Sequence, residues 1–512
     1  MLRIRLAFLG LMAGLGCAQS LSAQTVTVDW STTYQRIDGF GASSAWHTSW
    51  TSAQADMFFS TNSGTGTSIN GATHFAFNGI GLSLLRNHIA YANSTAATDI
   101  PTTGEISIMQ LAQVRGARLW SAPWTPASGF KSNKGPNGGN YLGSGNNATN
   151  LAYASQLANY VARLKSVYGL NLYGLSIQNE PDANVTTYEA CMWDGIQIHD
   201  FATNLFAALL SRGLGSTKLI LPESESWGVN SGLYTPTLND PIGAASAAIV
   251  ANHNYVANNL VGDTTTPAPL GVSGKASWET EVSQIGGAFD GGIANALYWA
   301  GRIHLFLTSA QVNAWHYWWL IPLGSDNEGL TDTNGIPAKR MYALGQFSRF
   351  VRPDFYRIAV TGNSGTAAIS AYKDSASSRF AIVAINANST DIQQRFNLTN
   401  VSGVSAVVPW VTSSNLSLVA QPSVGVTNNA FTYTLPALSI VTFAGQATPP
   451  TVAVTRSSGG VTLSWPQSAG PATLLESAAL FPASWTTNST GINSNSITLP
   501  ATGTMFFRFR SP

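Results

Sequence analysis

The stretch Leu175-Ser176-Ile177-Gln178-Asn179-Glu180-Pro181 decides the fold, and Trp278-Glu279-Thr280-Glu281 completes it. In the first, Leu175 and Ile177 alternate with Ser176, Gln178 and Glu180, the period-two pattern of a strand. Pro181 cannot donate to a ladder, so the strand is expected to stop there with Glu180 at its C-terminal tip. In the second, Ala276, Trp278 and Thr280 share one face, and Ser277, Glu279 and Glu281 the other. Outward from these strings, strand-like runs at 80–86, 118–122, 172–177, 218–221, 247–251, 277–280 and 312–319 alternate with helical runs. The helical runs include 151–168, 198–211 and 293–308. With an opening strand near Gly39-Phe40, the count and spacing predict a (β/α)8 TIM barrel, for which about 250 residues is typical. A doubly wound sheet is the alternative, but eight such units favour closure.

Two glutamates at strand tips in opposite halves of one barrel have a specific use. In a retaining glycosidase one carboxyl protonates the leaving oxygen and the other attacks the sugar carbon, across about 5–5.5 Å. Either string alone reads as a solvated strand end; the pair carries the chemistry.

The remaining chain divides by composition. Residues 1–23 open with basic Arg3 and Arg5, continue with a short apolar run and end in small residues, which predicts a signal peptide too short to anchor in a bilayer. Its removal leaves Cys191 alone, so no internal disulfide can form. Residues 24–36 read as an N-terminal strand of a β-sandwich, 37–350 as the catalytic barrel and 351–446 as the β-sandwich. Thr448-Pro449-Pro450 stiffens a linker at 447–450, and 451–512 read as a small C-terminal β module with strands at 461–465 and 506–510. Trp465 and Trp485 make that module a candidate for carbohydrate contact, with sorting or capping as alternatives.

Charge excludes several function classes. Twenty-five basic and 24 acidic residues give a net charge of +1, which argues against nucleic-acid and membrane partners. Only 10% of residues are charged, against about 25% in ordinary domains. Uncharged polar residues beside 15 Trp and 16 Tyr suit a neutral polyhydroxylated ligand. The seven histidines are scattered and form no His-Glu-x-x-His motif, so no metal is expected. Gly39-Phe40-Gly41 lacks a third glycine, so no dinucleotide cofactor is expected either, and no Gly-x-Ser-x-Gly elbow exists. The expected partner is a polysaccharide substrate, the expected state a monomer.

The chain resembles glycoside hydrolase family 30, and within it the bacterial glucuronoxylan endo-1,4-β-xylanases. The resemblance rests on Ile37-Asp38-Gly39-Phe40-Gly41, Leu85-Arg86, Ala122-Pro123-Trp124-Thr125-Pro126, Gln178-Asn179-Glu180-Pro181-Asp182, Pro222-Glu223-Ser224, His253-Asn254-Tyr255, Trp278-Glu279-Thr280-Glu281 and Trp318-Trp319, in that order. Lys339-Arg340-Met341-Tyr342 through Phe350-Val351-Arg352-Pro353 resembles the join from barrel to sandwich. The likeness spans about residues 25 to 446 and implies Glu180 as acid/base and Glu281 as nucleophile. The mechanism that follows has Asn179 bonding the sugar 2-hydroxyl, Tyr255 orienting Glu281 through its hydroxyl, and His253 lining the cleft. Arg86 would pair with the carboxylates, and Trp124 and Trp318 would offer flat faces to sugar rings.

Two departures from the family pattern matter. Glu279 stands where the xylanases carry Met, and reads as either a buried paired carboxylate or a substrate contact. The loop Ile321-Pro322-Leu323-Gly324-Ser325-Asp326-Asn327-Glu328-Gly329 lacks the arginine that binds a glucuronate branch and carries two acids instead. The expected activity is therefore an endo-1,4-β-xylanase without strict glucuronate dependence. β-1,6-Galactanase or β-1,6-glucanase is the alternative within the family, and a non-catalytic glycan-binding protein the alternative outside it.

Overall fold

The computed structural model describes residues 24–90, 93–255, 265–448, 453–457, 460–464, 472–479, 484–492, 496–500 and 506–510. The expected signal peptide, Pro449-Pro450 and Trp465 lie outside them.

Eight parallel strands close on themselves: β1 (Gly39–Ser43), β2 (Leu84–Ile89), β3 (Arg118–Pro123), β4 (Leu172–Ser176), β5 (Lys218–Ser224), β6 (Ala247–Asn252), β7 (Ala276–Glu279) and β8 (Ala314–Trp319), with β8 pairing back to β1. β2 begins later than the apolar run at 80–86 suggested. Its first residues are an approach instead, since Ile80 and Leu82 donate back to Met57 and Phe58 of the helix Ser52–Phe59. Gly81 turns the chain at a φ of +63°. Helices start where side chains cap them. Asn147 accepts from Asn150 N–H at the head of Ala148–Tyr168, and Asp194 with Gln197 forms a capping box for Gly195–Leu210. The helix predicted over 293–308 is regular only over Ile293–Leu305; Phe306–Ala310 widen into a π-turn.

The barrel interior is unusual for its rings. Leu84, Ile220, Ile249 and Ala251 fill it beside Trp120, Trp124, Trp278 and Trp318, and fully buried Arg86 and His316 lie among them. A separate apolar layer packs the helices on the outside of the barrel.

The strand Gln24–Arg36 pairs antiparallel with Tyr356–Gly362 and parallel with Ile392–Thr399. It is thereby built into a mostly antiparallel ten-stranded sheet with its own core around Val28, Phe396, Phe431 and Phe443. The C-terminal segments form two three-stranded sheets around Leu463, Leu474 and Leu499. Among the described residues no helix is long and apolar enough to cross a membrane.

Candidate active site

Neither glutamate is delivered by plain strand alternation. β4 ends at Ser176, four residues before Glu180, so Pro181 is not what stops it. Past Ser176 the chain is carried by its neighbours. Asn179 N–H donates to Pro123 O at 2.9 Å, Glu180 N–H to Glu223 O at 2.9 Å, and Gln178 Nε2 to Trp124 O at 2.5 Å. Glu180 is held at a φ of +41°, a left-handed conformation that costs a non-glycine residue about 1–3 kcal/mol.

On β7, Trp278 packs inside the barrel, its ring 6.0 Å from Trp120 and 5.7 Å from His316. Strict alternation would then turn Glu281 outward. The ladder to β8, however, pairs at Trp278–Ala314 and no further. His316 N–H donates to the Glu279 carboxylate at 3.1 Å where a backbone acceptor would stand. That break reorients the chain, and Asn254 N–H fixes the result by donating to Glu281 O at 3.1 Å.

The two glutamates meet at the barrel mouth. Glu180, His253 and Glu281 each bring one side-chain N or O atom to within 4.8 Å of the others, so the two carboxyl groups stand close together. Both are 7% exposed. Fully buried Arg86 braces the nucleophile side: it donates to Glu281 Oε2, lies 2.8 Å from Glu223 Oε2, and gives a 2.6 Å bond to Asn179 Oδ1. His253 Nδ1 is 2.9 Å from Glu180 Oε1, and its Nε2 is 3.4 Å from Glu223 and 3.8 Å from Glu281. Tyr188 donates to Glu180 Oε2 at 3.1 Å.

The charges are ordered by burial and pairing. Burial alone would lower His253, but Glu281, Glu180 and Glu223 outweigh it and push the imidazole up to about 10, so it is a cation at neutral pH. Burial would raise Glu223, yet the Arg86 charge and the His253 bond bring it below its ordinary range. For Glu281, burial wins over the His253 and Arg86 charges, and the group sits above the usual glutamate value. Burial pushes Glu279 well above it. His316 is held down at about 3 by burial. It accepts from Trp120 Nε1 at 3.2 Å, which leaves Nδ1–H to donate to Glu279 O at 2.9 Å.

Several sequence expectations need correction. His253 does not line the cleft; it is wholly buried and bridges three carboxylates. The Tyr255 hydroxyl pairs with the Ser283 hydroxyl at 3.1 Å, not with Glu281. Trp124 and Trp318 are 2% and 6% exposed. The Arg86 guanidinium lies 4.5 Å from the Trp124 ring centre, and Trp318 stacks on Trp319 at 4.9 Å, so neither offers an open platform. Glu279 is a buried support, not a substrate contact. Asn179 spends its oxygen on Arg86, so its NH2 is the group left to give.

The open ring is Trp46, 39% exposed and packed 5.6 Å from Trp124 and 5.7 Å from Trp319. Its φ of +66° is supported from below by buried Glu105, which accepts from Ser44 Oγ at 2.5 Å and His88 N–H at 3.1 Å. Burial pushes Glu105 up to about 8. Sequence reasoning passed over Trp46 and Tyr188, and gave Glu223, quoted within Pro222-Glu223-Ser224, no role of its own. Only Glu223 left a signal, as an acidic residue ending a strand like the other two. In the altered loop, burial and the neighbouring Asp326 raise Glu328 to about 8, with Glu281 adding to the repulsion.

Glu180, His253 and Glu281 have the donor types of a cation site. Arg86 already occupies Glu281 and His253 is itself cationic, so two positive charges oppose an ion there.

No family model matches the chain. Glucuronoxylanase XynC of Bacillus subtilis is 31% identical over 443 residues, covering 85% of this chain and 95% of that protein. A glycoside hydrolase family 30 subfamily 8 xylanase, Xyn30A from Clostridium acetobutylicum, superposes with a TM-score of 0.68 at 31% identity, over 83% of this chain and all of that one. A GH30 endoxylanase from Clostridium papyrosolvens C71 gives 0.64 at 28% identity, again over 83% of this chain and all of that one. Sequence and fold agree over the barrel and the side sheet together, and on that basis the chain belongs to glycoside hydrolase family 30.

Proposed function

We propose that the protein is an exported endo-1,4-β-xylanase working by double displacement, with Glu281 as nucleophile and Glu180 as acid/base. The observation that carries the reading is the approach of a Glu180 and a Glu281 oxygen to within 4.8 Å. An inverting enzyme separates its carboxyls by about 6.5–9.5 Å to seat a water between them. In the first step Glu281 attacks the anomeric carbon while Glu180 gives its proton to the departing oxygen, leaving a glycosyl ester on Glu281. Glu180 then takes a proton from water, which attacks the same carbon and releases Glu281. Arg86 and cationic His253 favour the anionic nucleophile against the burial that opposes it. Trp46 provides the apolar face for a sugar ring, and Asn179 NH2 a donor beside the nucleophile.

The xylan substrate is inferred from the relatives' activity, and glucuronate independence from the loop. Asp326 and Glu328 stand where an acid branch would need a cation. The test is product analysis of the mature protein on glucuronoxylan, unbranched xylan, β-1,6-galactan and β-1,6-glucan, with Glu281→Gln as control. Xylo-oligosaccharides from both xylans support the reading. Cleavage of a β-1,6 polymer with no xylan product overturns the substrate, and no product anywhere overturns the enzyme.

A further inference from the structure

At the end of the barrel opposite the carboxylates, the loops that lead into β2 and β3 and the segment after the last barrel helix, Lys339–Ser348, meet the side sheet. They enclose a groove of about 810 Å³, within the range of small-ligand sites. Four arginines line it, Arg115, Arg349, Arg352 and Arg379, with Trp410 and Asp56. In a chain of net charge +1 that is a local concentration of cations.

Pairing accounts for half of them. Arg115 bonds Asp56 at 2.7 Å, and Arg379 reaches Asp374 at 3.5 Å. Arg349 and Arg352 have no carboxylate partner among the described residues. Each uses Nη1 on backbone carbonyls: Arg349 on Gly79 O at 2.7 Å, Arg352 on Ser348 O at 2.6 Å and on Gly81 O. This brace explains why the arginines are there, and leaves Nε and Nη2 of both without a hydrogen-bond partner among the described residues. Neither residue has a buried unsatisfied nitrogen, so those donors reach solvent. Burial and the charge of Arg379 bring Arg352 down to about 10, as expected of crowded cations with no anion between them. The half-buried Trp410 ring carries the Arg349 guanidinium 4.5 Å from its centre and packs against Phe350, which fixes that cation at the groove wall.

We propose that this groove is a second carbohydrate site that takes a carboxylate-bearing sugar, such as a glucuronate branch of xylan. Forked arginine donors match a carboxylate. The identity of the sugar rests on the xylanase reading above. A polymer held here by an acid branch presents its unbranched stretches to a cleft whose own loop, residues 321–329, has no arginine to receive such branches.

The experiment is calorimetric titration of the full-length Glu281→Gln protein with glucuronosyl-xylotriose, neutral xylotetraose and inorganic phosphate, with and without Arg352→Gln or Trp410→Ala. Because those two variants touch the join between barrel and sheet, exposed Arg379→Gln is the third. The acidic oligosaccharide is expected to bind a site that neutral xylotetraose does not fill. Affinity there should fall about tenfold in the first two variants and about threefold in the third, and should weaken with salt. Cleavage of unbranched xylo-oligosaccharides by each variant in the Glu281 background should be unchanged. Equal binding of acidic and neutral oligosaccharides, or acidic binding untouched by all three variants, overturns the proposal. Phosphate binding as tightly as the uronate overturns its sugar part. Failure of the xylanase reading would appear separately, as no cleavage of any xylan by the unmodified protein.

Discussion

Replacing Arg86 by Met tests the electrostatic account of the site directly. Arg86 is fully buried and contacts Glu281, Glu223 at 2.8 Å and Asn179 at 2.6 Å. Met keeps much of the volume and removes the charge, so Glu223 and Glu281 lose their main counterion. At a charge separation of about 4 Å and an effective dielectric of about 20, one such pair is worth about 4 kcal/mol. Removing one partner of a buried pair costs about 3–5 kcal/mol, which agrees. Cationic His253, 3.8 Å from Glu281, offsets part of the loss. Glu281, already above its ordinary value, should rise further. The assay is urea unfolding together with the pH dependence of kcat/KM on an aryl xylobioside, whose good leaving group relieves the acid/base of its first duty. The acid limb, governed by ionisation of Glu281, should move to higher pH, and stability at pH 7 should fall by about 3–5 kcal/mol. Arg86→Lys should keep part of the stability while losing the forked contact to Asn179. A Met variant with an unmoved acid limb and unchanged urea midpoint would refute the reasoning.

Glu279→Gln should stabilise the protein increasingly as pH rises above 4.5. A carboxyl held above its ordinary value supports the fold fully below that value and loses its contribution as pH climbs, whereas the amide has nothing to ionise; a stability difference constant from pH 5 to 9 would count against this. Tyr188→Phe removes the hydroxyl that donates to Glu180 and should lower kcat about tenfold on xylan with no change in melting temperature, measured by steady-state kinetics beside a thermal melt. Glu328→Gln should raise the rate on glucuronoxylan relative to unbranched xylan, most clearly above pH 8 where the native acid has lost its proton; an identical ratio at pH 6 and pH 9 in both proteins removes the loop from the specificity argument.

Much of this was legible in the chain. Period-two runs separated by helical ones gave the barrel, though the apolar pattern placed two helix starts late, at 151 and 198 instead of 148 and 195. Two acids ending apolar runs identified the pair of carboxyls. What alternation could not give was their direction. Glu180 is turned by a left-handed residue after its strand has ended, and Glu281 by a ladder broken at Glu279. The tertiary structure decided the rest because the decisive contacts join distant positions: Arg86 with Glu281, 195 residues apart, and His253 with Glu180, 73 apart. Whether a tryptophan is a platform or a wall depends on what covers it, so Trp124 closes over Arg86 while Trp46 opens to solvent. Sequence by itself determined which groups are available for the chemistry. Packing of far-separated segments decided which are charged, which are neutral and which reach the substrate, because burial and the distance between charges exist only in the folded chain.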